Sequence, residues 1–200
     1  MSTVDGLYAF IKKSGMCRAR DAEKSGFRRR DFARLIENGK IERLSRGLYG
    51  VTGVSIGPDQ NLRELALHAP DAVVCLISAL HFHNLTTQIP RVIWCAIEGT
   101  SHAPRINYPP IKIVRFTGGA FSAGIEIHKR EGTPIKVYSV AKTVADLFRF
   151  RNKTGIDLAL EALREAIRSR KTTRDEIRKM AQIRGVERIM RPYMEMEAAL

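Results

Sequence analysis

Three consecutive arginines, Arg28 to Arg30, and a fourth at Arg34 lie in the run GFRRRDFARLIENGKIERLSRGLYG, at what reads as the start of a helix. The N-terminal end of a helix carries the positive pole of the macrodipole and favours Asp or Glu, so cations in that first turn are unfavourable. Arg30 and Arg34 add a like-charged i, i+4 pair, which costs an isolated helix about a few tenths of a kcal/mol. Local rules broken together mark a site where a partner supplies the missing stabilisation. A phosphate backbone would supply it, and a guanidinium fork is also the commonest reader of guanine O6 and N7. With Phe32, Leu35 and Ile36 set inward, Arg30, Arg34 and Glu37 are expected to point away from the core. Arg30 and Arg34 are therefore expected at base edges and Arg28 and Arg29 at phosphates. Arg43 and Arg46 belong to a hairpin able to lie along an adjacent groove or strand, and Arg18, Arg20 and Lys24 stand where they could meet the backbone. The competing reading is a solvated basic face balanced by Asp31, Glu37 and Glu42.

Other residues of chemical interest are sparser. Lys142, Thr143 and Asp146 could form a small polar site in the first turns of a helix, or a structural network in which Thr143 or an arginine such as Arg149 partners a buried Asp146. His81 and His83 form H-x-H, which on a strand would share one face, but no acidic or cysteine partner stands at ligand spacing and structural histidines are expected. Pro70-Asp71 and Glu98 faintly suggest a nuclease carboxylate pair for Mg²⁺, yet Gly99 and Thr100 occupy the place where a lysine should follow the second acid. Cys17, Cys75 and Cys95 are odd in number and widely spaced, which points to small buried apolar residues rather than a disulfide framework or a zinc site. Phosphate-loop, dinucleotide, zinc-hydrolase and nucleophile-elbow motifs are absent, so the chain reads as a binding protein and not an enzyme, with no cofactor or metal.

The elements that must position these residues can be read from periodicity. Val4, Leu7, Tyr8 and Ile11 make one helical stripe over roughly 4–14, RARDAEKSGF offers a short helix, and RRRDFARLIENG a third that stops at Gly39. Ile41 to Leu44 and Leu48 to Val51 form two β-prone runs around the turn Ser45-Arg46-Gly47. That order predicts a winged helix-turn-helix over 1–56. The stretch TGVSIGPDQ places a boundary near residues 53–60. Beyond it, LRELALHAP reads as a helix, AVVCLI as a strand or buried run, and SALHFHNL as a short helix capped by Ser78. RVIWCAIEG, IKIVRF, GIEIHKR and TPIKVYSV follow as strands of a mixed or antiparallel sheet over about 72–140. Helices fill about 140–197: one capped by Ser139 with Val140, Val144, Leu147 and Phe148 inward, and one with Ile156, Leu160, Leu163 and Ile167 on its stripe. A third opens with a Thr173 to Glu176 capping box. The fold class is α+β, with residues 57–200 as a second domain.

The whole chain carries a net charge of +13 over 200 residues, which in a protein of ordinary apolar content signals a polyanionic partner. The charge is uneven. Residues 1–58 hold 12 Lys and Arg against 6 Asp and Glu, residues 59–148 hold 9 against 7, and residues 149–191 hold 13 against 6. The basic residues of 149–191 read equally as solvated helix faces or as a second nucleic-acid surface. An RNA-binding or RNA-processing protein is thus an alternative, and a metal-dependent nuclease a remoter one. No apolar run approaches a membrane span, and the first residues, with Asp5 and no apolar core, show no signal peptide, so a cytoplasmic protein without membrane contact is expected.

Both halves together resemble the AbiEi family of antitoxins from bacterial type IV, abortive-infection, toxin-antitoxin systems. In the N-terminal part the resemblance rests on GFRRRDFARLIENGKIERLSRGLYGV, with its basic pair and R-G-x-Y wing. In the C-terminal part it rests on ISALHFHNL, on IKVYSVAKTVADLFRFRNKTGIDLALEALREAI and on the closing three-helix pattern. Where the family pattern has Glu-Arg-Thr before the helix's Asp, this chain has Ala141-Lys142-Thr143. The resemblance implies a transcriptional autorepressor that binds inverted repeats of double-stranded DNA in its own promoter. It also implies that the chain counteracts a cognate nucleotidyltransferase-like toxin without forming a stable complex, through an antitoxin domain at 57–200. The chain has neither the Gly-Ser loop nor the paired metal-binding aspartates of such a toxin.

Overall fold

The computed structural model describes residues 3–53, 59–106 and 108–197. Its contacts divide into two compact units, residues 1–68 with 129–134, and residues 69–128 with 135–200. Most of TGVSIGPDQ, residues 54–58, lies outside the described residues.

The first unit runs α1 (Thr3–Ser14), β1 (Met16–Arg18), α2 (Ala19–Lys24), α3 (Arg29–Glu37), β2 (Ile41–Ser45), β3 (Leu48–Val51) and α4 (Gln60–His68). β3 is the central strand, antiparallel to β1 with Cys17 opposite Tyr49, and to β2 with Arg43 also opposite Tyr49. Leu7, Ile11, Cys17, Ala22, Phe32, Leu35 and Ile41 form its core. Burial of these side chains supplies the stability that helices of six to twelve residues lack in isolation. Ile36 is a correction: it is 41% exposed, against 3% for Phe32 and 1% for Leu35. The inward stripe of α3 is Asp31, Phe32 and Leu35, at spacings of one and three, and this turns Ile36 toward solvent.

The second unit holds β4 (Val73–Val74), α5 (Leu76–Phe82), β5 (Ile93–Glu98), β6 (Ile111–Phe116), α6 (Gly119–Ser122), β7 (Ile125–Arg130), β8 (Thr133–Tyr138), α7 (Val140–Thr154), α8 (Ile156–Arg168), α9 (Arg174–Ile183) and α10 (Glu187–Met196). The turn between β7 and β8 is counted with the first unit. The sheet order is β6-β5-β4-β8-β7, and the sheet is mixed: β4 runs antiparallel to β5 and parallel to β8, while β5 and β6 are parallel. AVVCLI supplies only two strand residues before α5 begins. Ser78 is inside that helix rather than its cap, and its buried hydroxyl accepts the Trp94 amide at 2.9 Å.

α7 is the central helix, buried without interruption from Val140 to Phe148 and capped by Ser139, whose hydroxyl accepts the Lys142 amide at 3.3 Å. The buried stripe of α8 is Leu158, Ala159, Ala162, Leu163 and Ala166, so Ile156, Leu160 and Ile167 sit at its margins and not at its centre. The alanines let α7 and α8 approach closely, which the larger residues would prevent. The Thr173 to Glu176 capping box of α9 is formed in both directions, at 3.2 and 2.8 Å. Among the described residues no helix is long and apolar enough to cross a membrane.

Candidate nucleic-acid interface

The arginines of α3 stand on a helix whose N-terminus is already met. Asp31, 2% exposed, accepts the Arg28 backbone N–H at 3.0 Å, and its own amide donates to the Arg28 carbonyl at 2.9 Å. A carboxylate three residues into the helix satisfies an orphan donor and faces the positive pole. The acidic charge expected at this helix end is therefore present, on the inward side, and the arginines occupy the outward side.

Arg28, Arg29, Arg30 and Arg34 are all exposed. Arg29 pairs with Glu23 of α2 at 2.9 Å, with 88% of its side chain exposed. Arg28, Arg30 and Arg34 form no ion pair among the described residues. On α2, Arg20 lies 3.6 Å from Asp21 and Lys24 is exposed. On the wing, the Arg43 Nε donates to the Ser45 carbonyl at 3.3 Å, and Arg46 is exposed in the turn beside Gly47, whose φ of 75° suits a residue without Cβ. Arg18 differs from the rest. It is half-buried, and its guanidinium donates to the Leu67 carbonyl at 2.9 Å at the end of α4.

The hairpin is tied to α2, α3 and α4 by specific contacts. The Phe32 and Tyr49 rings pack at 4.6 Å between centroids, and the Ala19 amide donates to the Gly47 carbonyl at 2.9 Å. The Ser45 hydroxyl lies 3.0 Å from His68 Nε2. Burial, with the Arg18 charge beside it, holds the His68 imidazole below its usual range. Arg63, also on α4, is 4% exposed and binds the Glu131 carboxylate and the Ser14 carbonyl. Glu64 next to it is buried with one carboxylate oxygen on Gln60 at 2.9 Å and the other without a partner, and burial pushes its pKa up.

In the second unit Lys142, Thr143 and Asp146 are brought together but are fully buried. Lys142 Nζ lies 2.6 Å from Asp146, and Arg184 of the α9 C-cap holds the other carboxylate oxygen. Lys142 also sits over the Tyr138 ring at 4.0 Å and Arg184 over the Phe116 ring at 4.3 Å. Burial presses Lys142 downward and Asp146 upward in pKa, and the two cations oppose that shift at Asp146. The arginine that partners Asp146 is thus Arg184 and not Arg149, which is exposed. Thr143 donates to the Tyr138 carbonyl at 3.3 Å. Lys142, Thr143 and Asp146 expose no surface, and the Asp146 to Arg184 ion pair ties α7 to the end of α9.

His81 and His83 close α5, the short helix expected over SALHFHNL. His81 is exposed, and His83 Nε2 is 2.7 Å from the Tyr138 carbonyl. Asp71 and Glu98 line one cavity of about 390 Å³ together with Lys136 of β8, which pairs with Asp71 at 3.0 Å. Among the described residues this pair of acids has no third His, Cys, Asp or Glu with which to hold a metal ion, and no other group of three or more such residues could hold one. All three cysteines are free and buried. Of the basic residues in 149–191, Arg164, Arg168, Arg184 and Arg191 form ion pairs with Glu197, Glu165, Asp146 and Glu195, and Lys171 caps the carbonyls of His83 and Asn84.

Three helices, a three-stranded antiparallel sheet with a wing, and an arginine face on the third helix define a winged helix-turn-helix unit. Residues 7–52 match the family model of a transcriptional regulator, AbiEi antitoxin. That match supports a DNA-binding antitoxin in general. No curated protein matches the chain.

Proposed function

We propose that this chain is the antitoxin of a type IV toxin-antitoxin system that represses its own operon by binding inverted repeats in its promoter. It counteracts a nucleotidyltransferase-like toxin functionally rather than through a stable complex. The observation that carries the DNA half is the outward face of α3, where Arg30 and Arg34 are exposed, unpaired among the described residues and mounted on a helix whose N-terminus Asp31 already satisfies. Among the described residues no acid of the unit pairs with those two charges. Arg30 and Arg34 read base edges, Arg28 and Arg29 hold phosphates, and Arg43 and Arg46 bring the wing to the duplex. Arg20 and Lys24 approach the backbone, with Arg18 beside them and one of its nitrogens on Leu67. The toxin-directed half resides in residues 57–200, supported by the resemblance of the α7 to α8 segment.

Three single substitutions separate the roles. Arg30→Ala or Arg34→Ala costs ~1–3 kcal/mol on the operator and much less on random DNA, whereas Arg46→Ala weakens both alike if it holds phosphate. Equal losses on both DNAs for Arg30→Ala would refute base reading. For the antitoxin half, the Arg30→Ala, Arg34→Ala double variant of the full chain is expected to lose repression yet still rescue growth from the co-encoded toxin. Loss of rescue together with repression would place the antitoxin activity in DNA binding alone.

A further inference from the structure

The outward side of α3 holds an apolar strip beside its arginines. Ile36 is 41% exposed and Ala33, three residues earlier, is exposed as well; Arg29 completes that flank one turn further back. Arg30, Arg34 and Glu37 make the other flank. A single exposed isoleucine is ordinary on a protein surface. Here, however, it belongs to the helix face that enters the major groove in the reading above, and this inference rests on that reading. The floor of that groove offers one apolar group on its base edges, the 5-methyl of thymine. Ala33, small and near the middle of the exposed face, lets the helix approach closely enough for Ile36 to reach it.

We propose that Ile36, with Ala33 beside it, packs on a thymine 5-methyl group and is a specificity-determining residue of the interface. Ile36 lies about 9 Å along the helix axis from Arg30, so the thymine belongs to a different base pair from any guanine that Arg30 holds. The recognised half-site therefore combines guanine, read by guanidinium, with thymine, read by its methyl group. Deoxyuridine, which pairs like thymine and lacks only the methyl, is the discriminating probe.

The test begins with selection of a binding site by the full-length protein from a pool of random duplexes. Each thymine of the selected site is then replaced singly by deoxyuridine, and Kd is measured for the wild type, Ile36→Ala and Ile36→Val. The wild type is expected to lose about fourfold at one or two positions, the worth of one buried methyl group. Ile36→Ala is expected to bind the unmodified site more weakly and to be indifferent to deoxyuridine at those positions, whereas Ile36→Val keeps the sensitivity. A selected site without thymine, a wild type indifferent to every replacement, or an Ile36→Ala variant as sensitive as the wild type would each overturn the inference while leaving DNA recognition intact. If Ile36→Ala instead changes the oligomeric state in size-exclusion chromatography and not the deoxyuridine profile, the side chain serves a protein contact and the inference falls. Failure to enrich any sequence would defeat the DNA reading of α3, and the thymine contact with it.

Discussion

The carboxylate of Asp31 lets three arginines stand at the start of α3. It takes the dipole and the Arg28 amide on the inward side, so the outward side can carry positive charge. Asp31→Ala is expected to cost about 1 kcal/mol, within the usual range for a lost helix-terminal acceptor, and to speed hydrogen exchange of the α3 amides. Unchanged exchange would show that the bond contributes nothing. In the second unit Asp146 has the larger effect, because its removal leaves Lys142 and Arg184 buried without their anion. Asp146→Ala is expected to lose about 3–5 kcal/mol in denaturant titration, read by the single tryptophan, Trp94, which is buried in the same unit. A loss below about 1 kcal/mol would contradict this. His68 gives a pH dependence with a definite sign. Its folded pKa lies below the ordinary 6.5, so between the two values the folded state binds fewer protons than the unfolded state. Stability from this residue is therefore present above 6.5 and is lost as pH falls toward the folded value. Histidine NMR is expected to place His68 below 6.5 and to show it rising in Arg18→Ala; a value at or above 6.5 in the wild type would remove the effect.

At the scale of elements, the approach of the loop before β7 to the start of α7 leaves no room for a side chain. Gly124 has φ of 70°, and a Cβ there would stand 2.8 Å from the buried Lys142 Cβ and 3.0 Å from the Ser139 hydroxyl. Gly124→Ala is expected to cost about 1–3 kcal/mol through crowding and backbone strain, and to lower the Trp94-detected transition. The elements legible in the sequence are those whose signals are local. α3, the wing, α7 and α9 follow from helical or alternating spacing and from the caps at Ser139 and Thr173. β1 is not legible, since three residues show no alternation and its pairing partners on β3 stand 30 to 34 positions away. The largest apolar residues of α3 and α8 suggest inward stripes that the fold shifts: the buried face of α3 takes Asp31 and leaves Ile36 outward, and that of α8 takes its alanines and leaves Ile156, Leu160 and Ile167 at the margins. The partner of Asp146 and the lysine beside Asp71 escaped for the same reason as β1. They are 38 and 65 residues distant and are joined only by the fold.

For the whole molecule, the two basic ends of the chain differ in how their charge is held. In the first unit the cations of α3 and the wing point outward, and Arg28, Arg30, Arg34 and Arg46 lack ion pairs among the described residues. Beyond residue 149, the acids at Glu165, Glu195, Glu197 and Asp146 neutralise four of the arginines. The other nine basic residues of 149–191 form no ion pair among the described residues, so it is the helix-turn-helix order and the grouping of arginines on α3, more than ion pairing, that single out the N-terminal unit. The proposed function requires sequence-specific binding to duplex DNA. The decisive measurement is the affinity of the purified protein for the DNA upstream of its own gene and for scrambled DNA of equal length, across ~50–200 mM salt. The account predicts that the native sequence is preferred by ~10³ or more, with a steep salt dependence common to both duplexes. Equal affinity for the two would contradict it and reduce the arginine face of α3 to a basic anchor.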